Sequence, residues 1–280
     1  WTDGRAGSTD NNIYGQRISA AGGAMWEKDG VAVCAAPQNQ EHIAITEAEG
    51  GVIVAWNDWR AGNSDIYAQR VNLDGKVAWQ NEGVPVAAAS FSQEEARIKS
   101  DGAGGAVLAW NDSRGEETAI YVQRLNKDGS GIWGEGGRLA AKSDAKQENP
   151  VILDSKADGM VFLWEDYRKG ASAVYAQKIN RDGVILWNEA GIKISAGSGA
   201  QEKIAAVVSQ NGEVVAVWQD KRSGSCDIYG QKLSLQGAVA WGDGGVVVCE
   251  AIGSVIHQNA SLIGGSDGSV VLVFEDARSG

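Results

Sequence analysis

Histidine, methionine, cysteine and proline are scarce in this 280-residue sequence, which has two, two, three and three of them. Three cysteines cannot form a complete set of disulfides, and their spacing matches no metal-binding motif. We therefore expect free and mostly buried thiols. His42 and His257 have no obvious third ligand beside them, so we expect surface histidines rather than a metal site.

Long apolar runs and an excess of positive charge are also missing. No apolar stretch approaches the ~18 residues that a membrane-spanning helix needs, so no membrane insertion is expected. The 36 acidic side chains outnumber the 25 lysines and arginines, which gives a net charge of -11. That charge repels a phosphate backbone and argues against nucleic acid as a partner.

The sequence shows no leader and begins at Trp1 inside a repeated motif, which predicts part of a longer multidomain protein or assembly.

A tandem repeat dominates the sequence. Its most regular segment is a short apolar run that ends in Trp-x-Asp-x-Arg, as in the stretch from Gly105 to Arg114. Copies of this motif start at Trp1, Trp56, Trp110, Trp164, Trp218 and Phe274. A fixed period of this length indicates one supersecondary unit copied in tandem. We place the repeats at about 7–60, 61–114, 115–168, 169–222 and 223–278 of one domain, 1–280.

Each repeat predicts four short antiparallel strands. The second is the apolar run before the tryptophan, which is apolar at every position, as in a strand covered on both faces. The third is Ile-Tyr-x-Gln-Arg, as at Ile66–Arg70, and an Asp-Gly hairpin turn follows it. The fourth is expected to start at a tryptophan such as Trp79 and to pass a bulge at a glycine such as Gly83.

Four antiparallel strands per repeat, arranged about a centre, predict an all-β fold and specifically a five-bladed β-propeller. We expect the ring to close where the N-terminal outer strands, from Ile13 to Cys34, pair with the C-terminal inner strands, from Ala260 to Phe274. The extra motif copy, 1–7, then has no vacant place and is expected to fray or to add at an edge.

The combined pattern Trp-x-Asp-x-Arg-x-Gly, Ile-Tyr-x-Gln-Arg, Asp-Gly-x-x-x-Trp resembles a repeat of secreted and cell-surface bacterial proteins that is largely uncharacterised. The resemblance covers the whole chain and implies an extracellular or cell-surface location, with little about activity. The first and fifth repeats depart from it, since Ala21-Gly22 and Gln236-Gly237 stand where Asp-Gly is expected.

Polar residues at two loop positions form the candidate site, because such loops share one face of a propeller. The motif loops contribute Asp58, Trp59, Arg60, Asp112, Arg114, Asp166, Tyr167, Arg168, Asp220 and Arg222. The entries to the first strands contribute Gln93, Glu94, Gln147, Glu148, Gln201 and Glu202, with Gln40-Glu41 and Gln258-Asn259 as the corresponding pairs of the first and fifth repeats. Because Asp and Arg recur in every repeat, a structural role for them is also predicted.

Three functions fit these residues. A non-catalytic extracellular scaffold or adhesion module, with a protein or glycan partner, is the main prediction and requires no cofactor. A multivalent lectin is the first alternative, since Trp59 and Tyr167 add aromatic planes beside the Asp and Arg. A glycoside hydrolase is the second alternative and needs two carboxylates in different environments, whereas the repeat glutamates look equivalent. A calcium ion at Asp58, Asn63 and Asp65 is a weaker possibility without a recognised loop spacing.

Overall fold

The computed structural model describes residues 1–5, 10–155, 159–250, 257–265 and 267–276. In these residues all regular structure is β and no helix occurs, so no helix could cross a membrane. The strands are β1 Thr2–Asp3, β2 Asn12–Gly15, β3 Val31–Cys34, β4 Gln40–Ala48, β5 Gly51–Asp58, β6 Asp65–Asn72, β7 Val84–Ala87, β8 Gln93–Ser100, β9 Ala106–Asp112, β10 Ala119–Leu125, β11 Arg138–Leu139, β12 Gln147–Asp154, β13 Met160–Asp166, β14 Ala173–Ile179, β15 Ile192–Lys193, β16 Gln201–Val208, β17 Val214–Asp220, β18 Asp227–Leu233, β19 Val246–Cys249, β20 His257–Gly264 and β21 Val270–Asp276.

These strands form six sheets in which sequence neighbours pair. Sheet 1 is β1-β2-β3, sheet 2 is β4-β5-β6-β7, sheet 3 is β8-β9-β10-β11, sheet 4 is β12-β13-β14-β15, sheet 5 is β16-β17-β18-β19 and sheet 6 is β20-β21. The prediction of an all-β chain is confirmed, and four of the sheets have the expected four strands. By contact pattern the chain divides into two compact units, residues 1–116 with 121–138 and residues 117–120 with 139–280.

The predicted closure is not present among the described strands. β2 pairs with β1 and β3, whereas β21 pairs with β20. The extra motif copy has a place after all, because Thr2 lies opposite Ile13 at the edge of β2 where a second strand would lie. The guanidinium of Arg5 also lies over the Tyr14 ring at 4.0 Å, as its counterparts do in the later repeats. The end of this copy, 6–7, and Arg278 of the last copy lie outside the described residues.

The second strands form the core because all their side chains up to the tryptophan are apolar. The tryptophans two residues before the ends of β5, β9, β13 and β17 are fully buried: Trp56, Trp110, Trp164 and Trp218. Within the first unit, Ile53 and Ala55 of sheet 2 pack with Leu108 and Trp110 of sheet 3. Within the second, Val161 and Leu163 of sheet 4 pack in the same way with residues of sheet 5. An aromatic side chain buries 150–250 Å², so these tryptophans contribute much of the hydrophobic stabilisation.

The fourth strands begin later than predicted. β7 starts at Val84 and not at Trp79, and Gly83, with φ at 86°, comes directly before it. A Cβ atom at Gly83 would lie 2.6 Å from the ring of Trp56, so close packing as well as conformation requires glycine there. Trp79 instead caps the next hairpin of its unit, since its Nε1 donates to the Lys127 carbonyl at 3.0 Å.

Each first strand carries a β-bulge at its start. The register shifts between Glu94 and Arg97 in β8, and the first strands of sheets 2, 4, 5 and 6 shift at the same place. The bulge residue adopts a left-handed conformation with φ between 53° and 56°. These residues are His42, Glu95, Asn149, Lys203 and Asn259. Bulges redirect side chains and are frequent beside functional sites.

Candidate functional site

The Asp and Arg of the repeated motif are bound to each other and to the core. Asp112 is fully buried; its Oδ2 accepts from Trp110 Nε1 at 2.7 Å and from Arg114 Nη2 at 2.6 Å, and its Oδ1 accepts from Arg114 Nε at 2.8 Å. The Arg114 guanidinium lies over the Tyr121 ring at 4.2 Å. The same contacts recur at Asp58 and Arg60, Asp166 and Arg168, and Asp220 and Arg222. Charge-assisted pairs of this kind hold the loop in shape and occupy both carboxylate oxygens.

The predicted glutamine and glutamate positions separate in the structure. Gln93, Gln147 and Gln201 are buried first residues of first strands rather than loop residues, and their amides bond neighbouring loops or, for Gln147, the Asp166 carboxylate at 3.0 Å. Glu94 is exposed, while Glu148 and Glu202 are partly exposed. The corresponding pair of the fifth repeat, Gln258-Asn259, was predicted one residue too late in the chain. His257, and not Gln258, lies opposite the motif aspartate, Asp276.

Sheet 4 departs from sheets 2, 3 and 5 at the residue between the motif tryptophan and aspartate. This residue is Glu165 in sheet 4, whereas Asn57, Asn111 and Gln219 occupy the place in sheets 2, 3 and 5. Sheet 6 has a glutamate there as well, Glu275, but hydrogen bonds from Asn259 and Gln258 lower the pKa of Glu275. Glu165 is 2% exposed. Its Oε2 accepts from Asn149 Nδ2 at 3.0 Å, and its Oε1 accepts from the backbone N–H of Lys203 at 2.8 Å. Burial raises the pKa of Glu165, and the nearby charge of Glu202 raises it further.

Tyr167 joins this carboxyl to two others. Glu148 lies opposite Glu165 in the β12–β13 register, and Glu202 is the second residue of the neighbouring first strand, β16. Burial raises the pKa of Tyr167 to about 12, and the charges of Glu165, Glu148 and Glu202 and a hydrogen bond with Glu165 add to the rise. Tyr167 therefore keeps its proton at neutral pH. We call Glu148, Glu165, Tyr167 and Glu202 the Tyr167 cluster.

Two lysines balance the outer carboxylates of the Tyr167 cluster. Lys146 Nζ lies 2.7 Å from Glu148 Oε1 and 5.2 Å from the centre of the Tyr167 ring. Lys221 Nζ lies 2.9 Å from Glu202 Oε2, and this hydrogen bond raises the pKa of Lys221. Glu202 thus has a cationic partner, whereas Glu165 is bonded through neutral groups.

Asp166, next to Glu165, has the opposite electrostatic character. Burial opposes its ionisation, but hydrogen bonds from Arg168, Trp164 and Gln147 outweigh burial and lower the pKa of Asp166. Adjacent residues of one strand end therefore hold one stable carboxylate and one carboxyl group that tends to keep its proton. Environments that push pKa values apart in this way are characteristic of acid–base sites.

Sequence analysis missed Glu165, Asn149, Lys146 and Lys203. Aligning the repeats at the position after the tryptophan would have shown Glu165 as a departure, since amides stand there in sheets 2, 3 and 5. Asn149 carries no such signal, because its contact depends on a bulge that the sequence pattern does not announce. Among the expected site residues, the structure brings Glu148, Tyr167 and Glu202 together.

The weaker site predictions fall elsewhere. Asp58 accepts hydrogen bonds from Trp56 and Arg60, and Asn63 directs its amide N–H to Asp65 Oδ1 at 2.9 Å; calcium binding by Asp58, Asn63 and Asp65 stays a prediction. Within the described ranges no group of three or more His, Cys, Asp or Glu converges as a metal site. His42 is exposed, and the side chain of His257 lies outside the described residues.

No protein-family model and no curated protein matches the sequence. Solved structures with a similar course of the chain include an endo-arabinase from Bacteroides thetaiotaomicron, with 13% identity, a TM-score of 0.43 and coverage of 83% of this chain and 87% of that one. An α-L-arabinanase from Penicillium chrysogenum complexed with arabinobiose has 14% identity and a TM-score of 0.48, with coverage of 84% and 74%. The GH93 α-L-arabinofuranosidase of Fusarium graminearum has 14% identity and a TM-score of 0.47, with coverage of 84% and 74%.

The prediction of a non-catalytic scaffold that is not an enzyme stands against these findings: the similar structures are an endo-arabinase, an α-L-arabinanase and an α-L-arabinofuranosidase. Identities of 13–14% carry no activity from those proteins to this one. The prediction also rested on a wrong premise, namely that the repeats are too symmetric for catalysis. Glu165 together with Tyr167 breaks that symmetry in sheet 4, since the last repeat has Glu275 at the first place but Ala277 at the second.

Proposed function

We propose that this chain is a glycoside hydrolase whose active site is the Tyr167 cluster. The observation that carries the proposal is the pairing of carboxyl groups in contrasting environments. Glu165 is buried and bonded through neutral groups, so its pKa is raised, whereas Glu202 is partly exposed and bound to Lys221. Hydrolysis of a glycosidic bond needs one protonated and one ionised carboxyl group.

In this proposal Glu165 is the source of the acid proton and Tyr167 delivers it. Glu165 is too buried to meet a glycan directly, but the half-buried Tyr167 is hydrogen-bonded to it. As the glycosidic bond breaks, the Tyr167 hydroxyl gives its proton to the leaving oxygen and receives the Glu165 proton. Glu202 acts at the sugar carbon, as nucleophile or as the base that activates water. Neutral Tyr167 suits this role, because a pKa of about 12 keeps the hydroxyl proton in place until it is needed.

The test is release of reducing sugar from neutral and acidic plant and fungal polysaccharides, including arabinan. We expect wild-type protein to cleave at least one glycan. Glu165→Gln should lower kcat by ~10²–10⁴-fold, the range that general acid–base catalysis contributes. Tyr167→Phe should lower kcat by a similar factor with a smaller change in KM, because the ring remains and only the relay proton is lost.

Glu94→Gln is the matched control, since Glu94 is the counterpart of Glu148 and Glu202 in sheet 3 but lies opposite Asn111. It should retain wild-type activity. Folded wild-type protein that cleaves no glycan in the panel would contradict the proposal. So would a Glu165→Gln variant as active as the Glu94→Gln control.

A further inference from the structure

Two buried polar atoms lie at the position in sheet 2 that corresponds to the Tyr167 cluster in sheet 4. Asn57 is 1% exposed, and its Nδ2 donates to Ser64 Oγ at 2.7 Å and to the Gln93 carbonyl at 3.0 Å. Its Oδ1 has no hydrogen-bond partner among the described residues. The indole N–H of Trp59 is also covered, although the residue itself is only partly buried, and it has no partner in the described part of the chain.

The side chains of Asn57 and Trp59 lie on the same side of the chain, because the two residues are two apart and the Trp59 backbone N–H continues the β4–β5 pairing by donating to the Asn39 carbonyl at 3.0 Å. They correspond to Glu165 and Tyr167 of sheet 4, where Glu165 raises the pKa of Tyr167. In sheet 2 the corresponding pair supplies one acceptor and one donor but makes no direct bond. A buried donor or acceptor without a partner destabilises the protein, so a group that satisfies both is favoured there.

A hydroxyl group is the chemistry that satisfies both atoms at once, because it donates to Asn57 Oδ1 and accepts from Trp59 Nε1. Trp59 is only partly buried and adds an aromatic plane of the kind that packs on sugar rings. Glu41 lies opposite Asn57 in the β4–β5 register, and its carboxylate would repel an anionic sugar. In sheets 3 and 5, Ser113 and Lys221 take the place of Trp59, so no aromatic plane stands at those positions.

We propose that Asn57 and Trp59 form a second ligand site in the first unit, which binds a neutral sugar through one hydroxyl. The site does not rest on the proposed hydrolase activity, since it holds no carboxyl group at the Glu165 position. It binds and does not cleave. Because both polar atoms are covered, a sugar must displace neighbouring side chains to reach them, and we expect weak binding with a Kd of ~1 mM.

The experiment follows the indole N–H signals in the NMR spectrum of ¹⁵N-tryptophan-labelled protein during titration with arabinobiose, galactobiose and mannobiose. The Trp59 signal is assigned as the one lost in Trp59→Phe. We expect this signal to shift and to saturate with at least one disaccharide. Asn57→Leu removes the acceptor but keeps the Trp59 signal, and it should weaken binding ~3–10-fold, as the loss of one hydrogen bond does.

Two comparisons keep the result specific. Ser113→Ala, at the place of Trp59 in sheet 3, should leave the titration unchanged. Repeating it with Glu165→Gln removes the proposed catalytic proton donor, so retained binding there separates this site from the hydrolase proposal. A Trp59 signal that no disaccharide shifts up to ~50 mM, about fifty times the expected Kd, would overturn the proposal and leave a buried water as the partner of both atoms.

Discussion

Residues Trp164, Glu165 and Asp166 show how one strand end can hold two carboxyl groups of opposite character. Asp166 receives hydrogen bonds from an arginine, an indole and an amide, which together stabilise its charge inside the protein. Glu165 is as deeply buried but receives its bonds from Asn149 and the Lys203 backbone, both neutral. Burial without a cationic partner disfavours ionisation, so the difference follows from the donors and not from the depth.

The raised pKa of Glu165 predicts how stability depends on pH. The folded state holds this proton more tightly than the unfolded chain does, where the pKa is near 4.5. The stabilisation is therefore fully present below that value and is lost as the pH rises through the higher, folded pKa. Glu165→Gln does not titrate, so its free energy of unfolding should rise relative to wild type between about pH 4 and pH 8.

Urea unfolding of both proteins across this pH range measures the effect. Glu94→Gln is the control for replacing a glutamate by glutamine, because Glu94 is exposed. A difference between Glu165→Gln and wild type that stays constant with pH would show that Glu165 titrates alike in the folded and unfolded chain. That outcome would remove the electrostatic basis of its proposed role.

At the scale of strands, the repeat pattern predicted the position of a strand correctly where its side chains face the core on both sides. The second and third strands lie where they were predicted. For the second strands, the reason is that an apolar run of five residues is too short for a buried helix. The fourth strands were placed too early because a tryptophan suits a strand, whereas Trp79 caps a neighbouring hairpin instead. The first strands were predicted too short, since the buried Gln93 that begins β8 has the composition of a loop residue.

The bulges of β12 and β16 allow a prediction at this scale. Asn149 and Lys203 share the left-handed conformation, which costs a side-chain-bearing residue roughly 1 kcal/mol and glycine nothing. Lys203→Gly should therefore stabilise the protein by up to ~1 kcal/mol, because its backbone N–H still binds Glu165. Asn149→Gly gains less, since asparagine tolerates this conformation, and it loses the Nδ2 bond to Glu165 at 3.0 Å.

Thermal unfolding of the two variants under the same conditions separates these effects, with Lys203→Gly expected to melt above wild type and Asn149→Gly below it. A second measurement addresses function: Asn149→Gly should also lower hydrolase activity, because it releases one oxygen of the Glu165 carboxyl. Equal melting points for the two variants would mean that the Asn149 side chain contributes nothing to the cluster.

At the scale of the whole molecule, the period of the sequence predicted an all-β repeat architecture but did not indicate where the proposed site lies. Residues present in every repeat, such as Asp112 and Arg114, draw attention by recurring, and the structure uses them to hold loops onto the core. The residues proposed for chemistry are those that differ between repeats, such as Glu165 and Trp59. The repeat pattern also did not predict which strand pairs with the edge of β2. In the structure this strand is Thr2–Asp3 and not a strand of the last repeat.

The two proposals together predict the number of ligands bound. Five equivalent repeats would bind about five sugars with one affinity, whereas one specialised site would bind one. The departures described here predict two unequal sites, at the Tyr167 cluster in the second unit and at Trp59 in the first, since sheets 3 and 5 lack an aromatic residue at this position. Calorimetry with Glu165→Gln and an oligosaccharide that wild type cleaves should therefore resolve one tighter and one weaker binding event.

Tyr167→Ala should remove the tighter event and Trp59→Ala the weaker one. Neither substitution should affect the other event, because sites in separate residue sets with no shared partner behave additively. Four or five equal sites, untouched by either substitution, would restore the symmetric lectin interpretation and contradict both proposals.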